Sequence, residues 1–276
     1  MMKRAWWLPV VLLACGENRT FPDRLAYEAP AAQPLTCLPN LDGKLEASEL
    51  VATLNVSVSL LVSPFGTTRT IDLNGGTDNA GHRVWPYATD YADDRVARLE
   101  ATALTGHWFA ASFPGGQYVL PVDLGGSTLG VYSEDGSNLL LHGVASAIEN
   151  PPEGKTLLPY QAPVALYRYP LEVGKTWVSV GNVSNAVLRG RPYAARDTYQ
   201  VTIDQSGQLE LPDVTFTQAL RSRTKVTLEP VAGPTITRRQ VSWLFECFGE
   251  VARATSLDGE TKDDFTTTSE LRRLGL

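Results

Sequence analysis

Residue types that commonly carry out catalysis are sparse in this chain of 276 residues. No Gly-x-Ser-x-Gly segment presents a nucleophile, and two Gly-Lys-Thr segments lack the earlier glycine of a phosphate-binding loop, with Glu149 and Tyr169 in its place. None of the histidines lies in a short metal-binding motif such as His-Glu-x-x-His. These histidines are His82, His107 and His142. We therefore predict that the protein is not an enzyme.

Cys15 has a different chemistry, because it ends a short apolar leader. Residues 1–14 begin with a basic pair and continue with about ten apolar residues, too few to cross a bilayer as a helix. The segment Leu12-Leu13-Ala14-Cys15 resembles the lipobox of bacterial lipoproteins. That resemblance implies a signal peptide at 1–14 that is cut before Cys15, whose thiol then carries fatty acyl chains such as palmitate. The alternative is an ordinary secretory signal with an incidental cysteine.

The predicted anchor sets the expected location and domain plan. Two or more acyl chains hold a protein stably on a membrane, and Gly16 stands where an aspartate would favour the inner membrane. We therefore expect a lipid-anchored protein of the bacterial cell envelope, on the outer membrane. Residues 15–36 are rich in proline and alanine and predict a flexible tether before a β domain at 37–276. A proline-rich stretch at 149–163 is either a subdomain break or a long loop.

The other two cysteines, Cys37 and Cys247, form an even pair in a chain that is expected to be exported. Exported proteins fold in oxidising compartments, where such pairs form disulfides. We therefore predict a Cys37–Cys247 disulfide, which would join the start of the folded domain to a late strand. The alternative is two buried free thiols.

Residues 38–49 combine oxygen-bearing side chains with a glycine turn. The segment resembles the twelve-residue calcium loop of EF-hand proteins, with Asn40 and Asp42 at the third and fifth positions and Glu49 at the twelfth. Leu38 stands where that family has its first aspartate. Two interpretations therefore stay open: a weak calcium site formed by Asn40, Asp42 and Glu49, or a turn that leads into a short helix.

Composition excludes some classes of partner. The chain is 43% hydrophobic and 20% charged, with a formal net charge of -6, which is typical of a folded, mildly acidic protein. It has no basic run of the kind that binds nucleic acid. We therefore predict no nucleic-acid partner, and contact with the membrane through acyl chains alone.

Alternation of apolar and polar residues dominates the chain from residue 53 onward, as half-buried strands require. Segments of this kind, separated by glycine-containing turns, predict strands at 53–63, 68–73, 83–87, 108–113, 118–122, 129–133, 139–146, 164–169, 175–180, 186–188, 198–204, 208–211, 216–228, 235–248, 250–256 and 265–271. Residues 44–51 predict a short helix, and 93–104 fit a helix or a strand. The predicted fold is mostly β: an antiparallel, strongly curved sheet or half-barrel, or a β-sandwich, with one or two short helices.

Four tryptophans are spread over these strands and are candidates to line an apolar pocket, although packing in a core is the more common role. They are Trp85, Trp108, Trp177 and Trp243.

Residues 170–177 read Pro-Leu-Glu-Val-Gly-Lys-Thr-Trp, and Trp243 and a Gly-Glu-Val segment at 249–251 follow. This pattern resembles β-rich bacterial envelope lipoproteins of uncharacterised function, over residues 165–255. The resemblance implies a curved antiparallel sheet, distantly like the half-barrels of lipoprotein carriers, and no known active site. We expect a protein that holds an apolar small molecule or an envelope protein. The alternative is a structural or adhesion-type surface lipoprotein, stiffened by calcium.

Overall fold

A computed structural model describes residues 37–50 and 52–275, which pack as one compact unit. Sixteen strands of this part of the chain form one sheet. The strands are β1 (Ser57–Val62), β2 (Arg69–Thr70), β3 (Gly76–Thr77), β4 (Arg83–Pro86), β5 (Arg95–Glu100), β6 (Thr102–Ala103), β7 (Tyr118–Pro121), β8 (Thr128–Glu134), β9 (Asn138–Ser146), β10 (Leu157–Arg168), β11 (Thr176–Leu188), β12 (Arg191–Glu210), β13 (Thr215–Pro230), β14 (Ile236–Phe245), β15 (Gly249–Ser256) and β16 (Thr267–Leu274). The helical elements are α1 (Ala47–Leu50) and a 3-10 turn (Ala110–Ser112).

The sheet nearly closes on itself into a barrel. Its strand order runs from β5 through β1 and β16, then back in sequence from β15 to β6, and these neighbours pair antiparallel. Because β5 and β6 are separated only by Ala101, one segment of chain forms both edges of the sheet. The predicted antiparallel, strongly curved sheet is thus confirmed.

One end of this sheet is covered by residues 37–50 and 52–56, which we name the end cap. Leu45 and Leu171 exchange backbone hydrogen bonds, Cys247 N–H donates to Glu49 O at 2.9 Å, and Asn55 N–H donates to Ala101 O at 2.8 Å. The end cap therefore runs from the β10–β11 turn, past the β14–β15 turn, to the junction of β5 and β6. We name this end of the sheet the capped end and the opposite end of its strands the loop end.

The predicted disulfide is present and fastens the end cap. Cys37 and Cys247 are bonded with their Cα atoms 5.6 Å apart, across 210 residues of sequence. The helix predicted at 44–51 is reduced to the single turn Ala47–Leu50 within the end cap.

Two segments pack on the outer face of the sheet. Residues 64–94 place Trp85 and Tyr87 against Trp243, and residues 104–117 place Phe109 and Phe113 against strands β7 to β9. The strand predicted at 108–113 is wrong, because a 3-10 turn brings the two phenylalanines to the same side at a spacing of four residues. The undecided segment 93–104 forms strands β5 and β6.

The proline-rich stretch and the N-terminal segments predicted from the sequence remain to be placed. The proline-rich stretch 149–163 contains most of the β9–β10 connection and the first part of β10, within the same sheet. The signal peptide 1–14, Cys15 and the tether 15–36 lie outside the described residues. In the described part of the chain, no helix has both the length and the apolar character needed to cross a membrane.

Candidate functional site

The four tryptophans do not gather around one pocket. Trp85 and Trp243 meet edge to face in the outer core, with ring centroids 5.8 Å apart, and both are fully buried. Trp108 is half-buried in the outer segment 104–117 and donates its Nε1–H to Ser146 O at 3.0 Å. Trp177 packs with Leu220 and Leu244 next to the end cap and donates its Nε1–H to Ala165 O at 3.1 Å. A ligand-lining role for these residues stays a prediction.

The oxygens proposed for calcium already accept hydrogen bonds in this structure. Asp42 N–H donates to Asn40 Oδ1 at 2.9 Å, and Glu46 N–H donates to Glu49 Oε2 at 2.8 Å. Burial raises the pKa of Glu49, and the carboxylates of Glu246 and Asp42 raise it further against the hydrogen bond from Glu46. Within the described residues, no group of three or more His, Cys, Asp and Glu side chains is arranged to hold a metal ion. Calcium binding by Asn40, Asp42 and Glu49 stays a prediction.

One histidine has a partner that the sequence did not suggest. His142 Nε2 lies 2.7 Å from Ser133 Oγ on the neighbouring strand, and burial lowers the pKa of His142. The ring packs against Gly115, where an added Cβ would lie 2.8 Å from Cε1. In the part of the chain that the structure describes, no carboxylate forms an ion pair with His142. The pair therefore lacks the acid that orients the histidine of a catalytic triad.

The inner face of the sheet carries a layer of tyrosines around an ion pair. Arg253 and Glu250 on β15 are bonded at 2.8 Å, and Tyr132 on β8 stacks on Tyr118 with centroids 5.7 Å apart. Burial raises the pKa of Tyr132, Arg253 opposes that shift and Glu250 adds to it. Strands β8 and β15 lie seven positions apart in the sheet, about 34 Å if it were flat. Their side chains interact because they face one another across the interior.

This layer remains partly accessible to solvent. Tyr132 and Tyr167 are both half-buried, and the side chains of Arg253 and Glu250 are 26% and 22% exposed. Burial raises the pKa of Tyr167 well above its usual range, and the nearby Glu250 carboxylate reinforces that shift. Groups surrounded by protein yet still exposed are suited to contact a small molecule through ring faces and hydrogen bonds.

A second inner-face cluster lies toward the loop end. Tyr160 Oη donates to Asp197 Oδ2 at 2.8 Å and lies 3.1 Å from Tyr199 Oη. Asp197 and Tyr199 share this face with Tyr193, because the three alternate along β12. Burial raises the pKa of Asp197, and the hydrogen bond from Tyr160 offsets part of that shift.

Gly181 makes room for the ring of Tyr160. An added Cβ would lie 2.6 Å from Tyr160 Cδ1 and 2.8 Å from Val164 Cγ2. Gly181→Ala should therefore displace the ring and lower the free energy of unfolding by about 1–3 kcal/mol, measured by urea denaturation. Gly76→Ala is the matched control, because an added Cβ there meets nothing within 4 Å. Equal unfolding midpoints for the two variants would contradict this account of the site.

Two cavities lie outside the inner face. One of about 120 Å³ is lined by Tyr87, Tyr91, Leu271 and Arg273, beside residues 64–94. The other is an open cleft of about 540 Å³ beside His82 and Gln205. None of the four tryptophans lines either one.

The inner-face residues were not singled out from the sequence, although one signal was available. Asp197 occupies a position of β12 that alternation assigns to the same side as Val201 and Ile203, which are buried. A carboxylate on an apolar face is unusual unless it has a partner.

In comparisons with known protein families, curated proteins and solved structures, the chain has no match.

Proposed function

We propose that this protein is a lipid-anchored envelope protein that holds a small ligand on the inner face of its sheet and carries out no catalysis. The observation that carries the proposal is the pair of half-buried tyrosines, Tyr132 and Tyr167, beside the Arg253–Glu250 ion pair. Ligand sites combine aromatic surface with a few convergent polar groups. We therefore expect a ligand with an apolar body and at least one hydrogen-bonding group.

The shape of the sheet favours entry from the loop end. At the capped end, Leu45 from the end cap packs with Leu171, Leu220 and Leu244, and each of these side chains is at most 2% exposed. A ligand would have to displace this core to enter there. Among the described residues, connections between strands lie at the loop end, and such connections are the more mobile parts of a fold.

The anchor supports a location on the envelope. The lipobox pattern at Cys15 favours acylation, and two or more acyl chains suffice for stable attachment to a bilayer. The predicted tether at 15–36 leads directly into Cys37, which lies in the end cap, so the tether would join the domain at its capped end. In this arrangement the membrane is contacted through the acyl chains.

Exposed apolar side chains at the loop end favour a second candidate function, contact with a partner protein as a surface or adhesion lipoprotein. Four connections each present one: Phe65, Ile148, Val231 and Leu257. Phe65 is fully exposed, and Val231 is 83% exposed. If a partner protein binds this surface, the double variant Phe65→Ser, Val231→Ser should no longer bind that partner. Its occupancy by the small ligand should stay unchanged.

Two tryptophan substitutions test the inner-face proposal. Thr224 on β13 pairs with Val201 and is half-buried on the inner face, whereas the neighbouring Gln200 is exposed on the outer face. In native mass spectrometry of the full chain from its producing organism, we expect a bound small molecule in the wild type and in Gln200→Trp. Thr224→Trp should lower its occupancy about tenfold or more, because the indole fills the site. A wild-type protein with no bound molecule, or equal occupancy in both variants, would contradict the proposal.

A further inference from the structure

Asp197 is a buried carboxylate with an unused acceptor. Its side chain lies on the inner face of β12 and the residue is 8% exposed. Oδ2 accepts the hydrogen bond from Tyr160 Oη at 2.8 Å, while Oδ1 is buried and has no hydrogen-bond partner. A buried polar atom without a partner is costly in a folded protein and calls for an explanation.

Asp197 also lacks a cation. Among the described residues, no lysine, arginine or histidine forms an ion pair with it. Several acidic side chains on the sheet and its outer segments do have an arginine, for example in the pairs Asp94–Arg273, Asp204–Arg221, Glu250–Arg253 and Glu270–Arg272. Buried charges are normally paired. Asp197 differs from these carboxylates because it has no cationic partner, and a positively charged ligand supplies one.

The surroundings of Asp197 suit a cation rather than an anion. Tyr160 and Tyr199 contact one another through their hydroxyls at 3.1 Å, and Tyr193 lies on the same face of β12. Burial raises the pKa of Tyr193, and the charge of Asp197 raises it further, which places the two groups within electrostatic reach. Tyrosine ring faces attract cations, and clusters of such rings around an ammonium group are an established mode of recognition.

We propose that Asp197 binds the protonated amino group of a small ligand, with an ammonium N–H donating to Oδ1 beside the rings of Tyr160, Tyr193 and Tyr199. This inference rests on the proposed function and adds the chemical class of the ligand. The free acceptor requires a donor, which a primary or secondary ammonium group provides. On binding, the ammonium group forms an ion pair with Asp197. It thereby supplies the positive charge that no described side chain places beside this carboxylate.

The test compares an amine with its neutral counterpart on the full chain. Isothermal titration calorimetry with cyclohexylammonium and with cyclohexanol at millimolar concentrations should show binding of the amine about tenfold tighter or more. Asp197→Asn keeps the shape of the side chain and removes its charge, and it should abolish that preference. Glu153→Gln is the matched control, because it removes an equal charge from an exposed connection at the same end of the sheet.

A second variant separates loss of the site from loss of the fold. Tyr193→Leu leaves Asp197 and its bond from Tyr160 in place, and it should weaken amine binding several-fold with an unchanged melting temperature. Equal binding of amine and alcohol, unaffected by Asp197→Asn, would overturn the amine inference and leave inner-face binding standing. Binding of neither probe would also overturn it, while the bound molecule and the Thr224→Trp comparison decide the proposed function separately.

Discussion

Replacing Cys37 and Cys247 together with serine should lower the free energy of unfolding by about 3–5 kcal/mol. The bond closes a loop of 210 residues, and opening so long a loop gives the unfolded chain many more conformations. It also fastens the start of the end cap to the β14–β15 turn, where Glu49 and Cys247 share a backbone hydrogen bond. The measurement is guanidinium denaturation of the wild type and the double variant under oxidising conditions.

Reduction provides the control for this prediction. The wild type in excess reductant should unfold at the same denaturant concentration as the double variant, because both lack the same covalent bond. A double variant that unfolds at the midpoint of the oxidised wild type would show that the bond contributes nothing to stability.

Arg273→Met should lower the free energy of unfolding by about 2–4 kcal/mol, because it removes one of the two arginines that pair with Asp94, the other being Arg69, and two hydrogen bonds to backbone oxygens. Arg273 is fully buried on β16 and is bonded to Asp94 Oδ2 at 2.5 Å. Its other terminal nitrogen donates to Tyr87 O at 2.7 Å and to Thr89 O at 2.5 Å. These contacts attach the outer segment 64–94 to the sheet, so their loss leaves buried acceptors without donors.

An exposed arginine on the same sheet is the comparison. Arg238 pairs with Asp258 at 2.8 Å, with both side chains about half exposed, so Arg238→Met should cost at most about 1 kcal/mol. In urea denaturation, Arg273→Met should therefore unfold at a much lower midpoint than Arg238→Met. Similar midpoints would show that Arg273 does not hold the outer segment in place.

Local pattern accounts for much of the fold. Alternation from residue 53 onward predicts the strands of the sheet, since a strand that is buried on one side must place apolar residues at every second position. It fails at 108–113, where Phe109 and Phe113 bury their rings through a 3-10 turn. It stays undecided at 93–104, because alanine and leucine there satisfy both helical and strand periods.

The sequence by itself determined the mostly β class and the antiparallel strands, because both depend on residue type and on short-range alternation. It also determined the pairing of Cys37 with Cys247, because they are the two cysteines of the chain besides Cys15. The tertiary structure decided which strands become neighbours and which side of each strand faces inward. Tyr132 and Arg253 come within electrostatic reach of one another only because the sheet curves until β8 and β15 face each other. Asp197 likewise becomes a buried, unpaired acceptor only once its face of β12 is turned toward the interior, where water no longer compensates its charge.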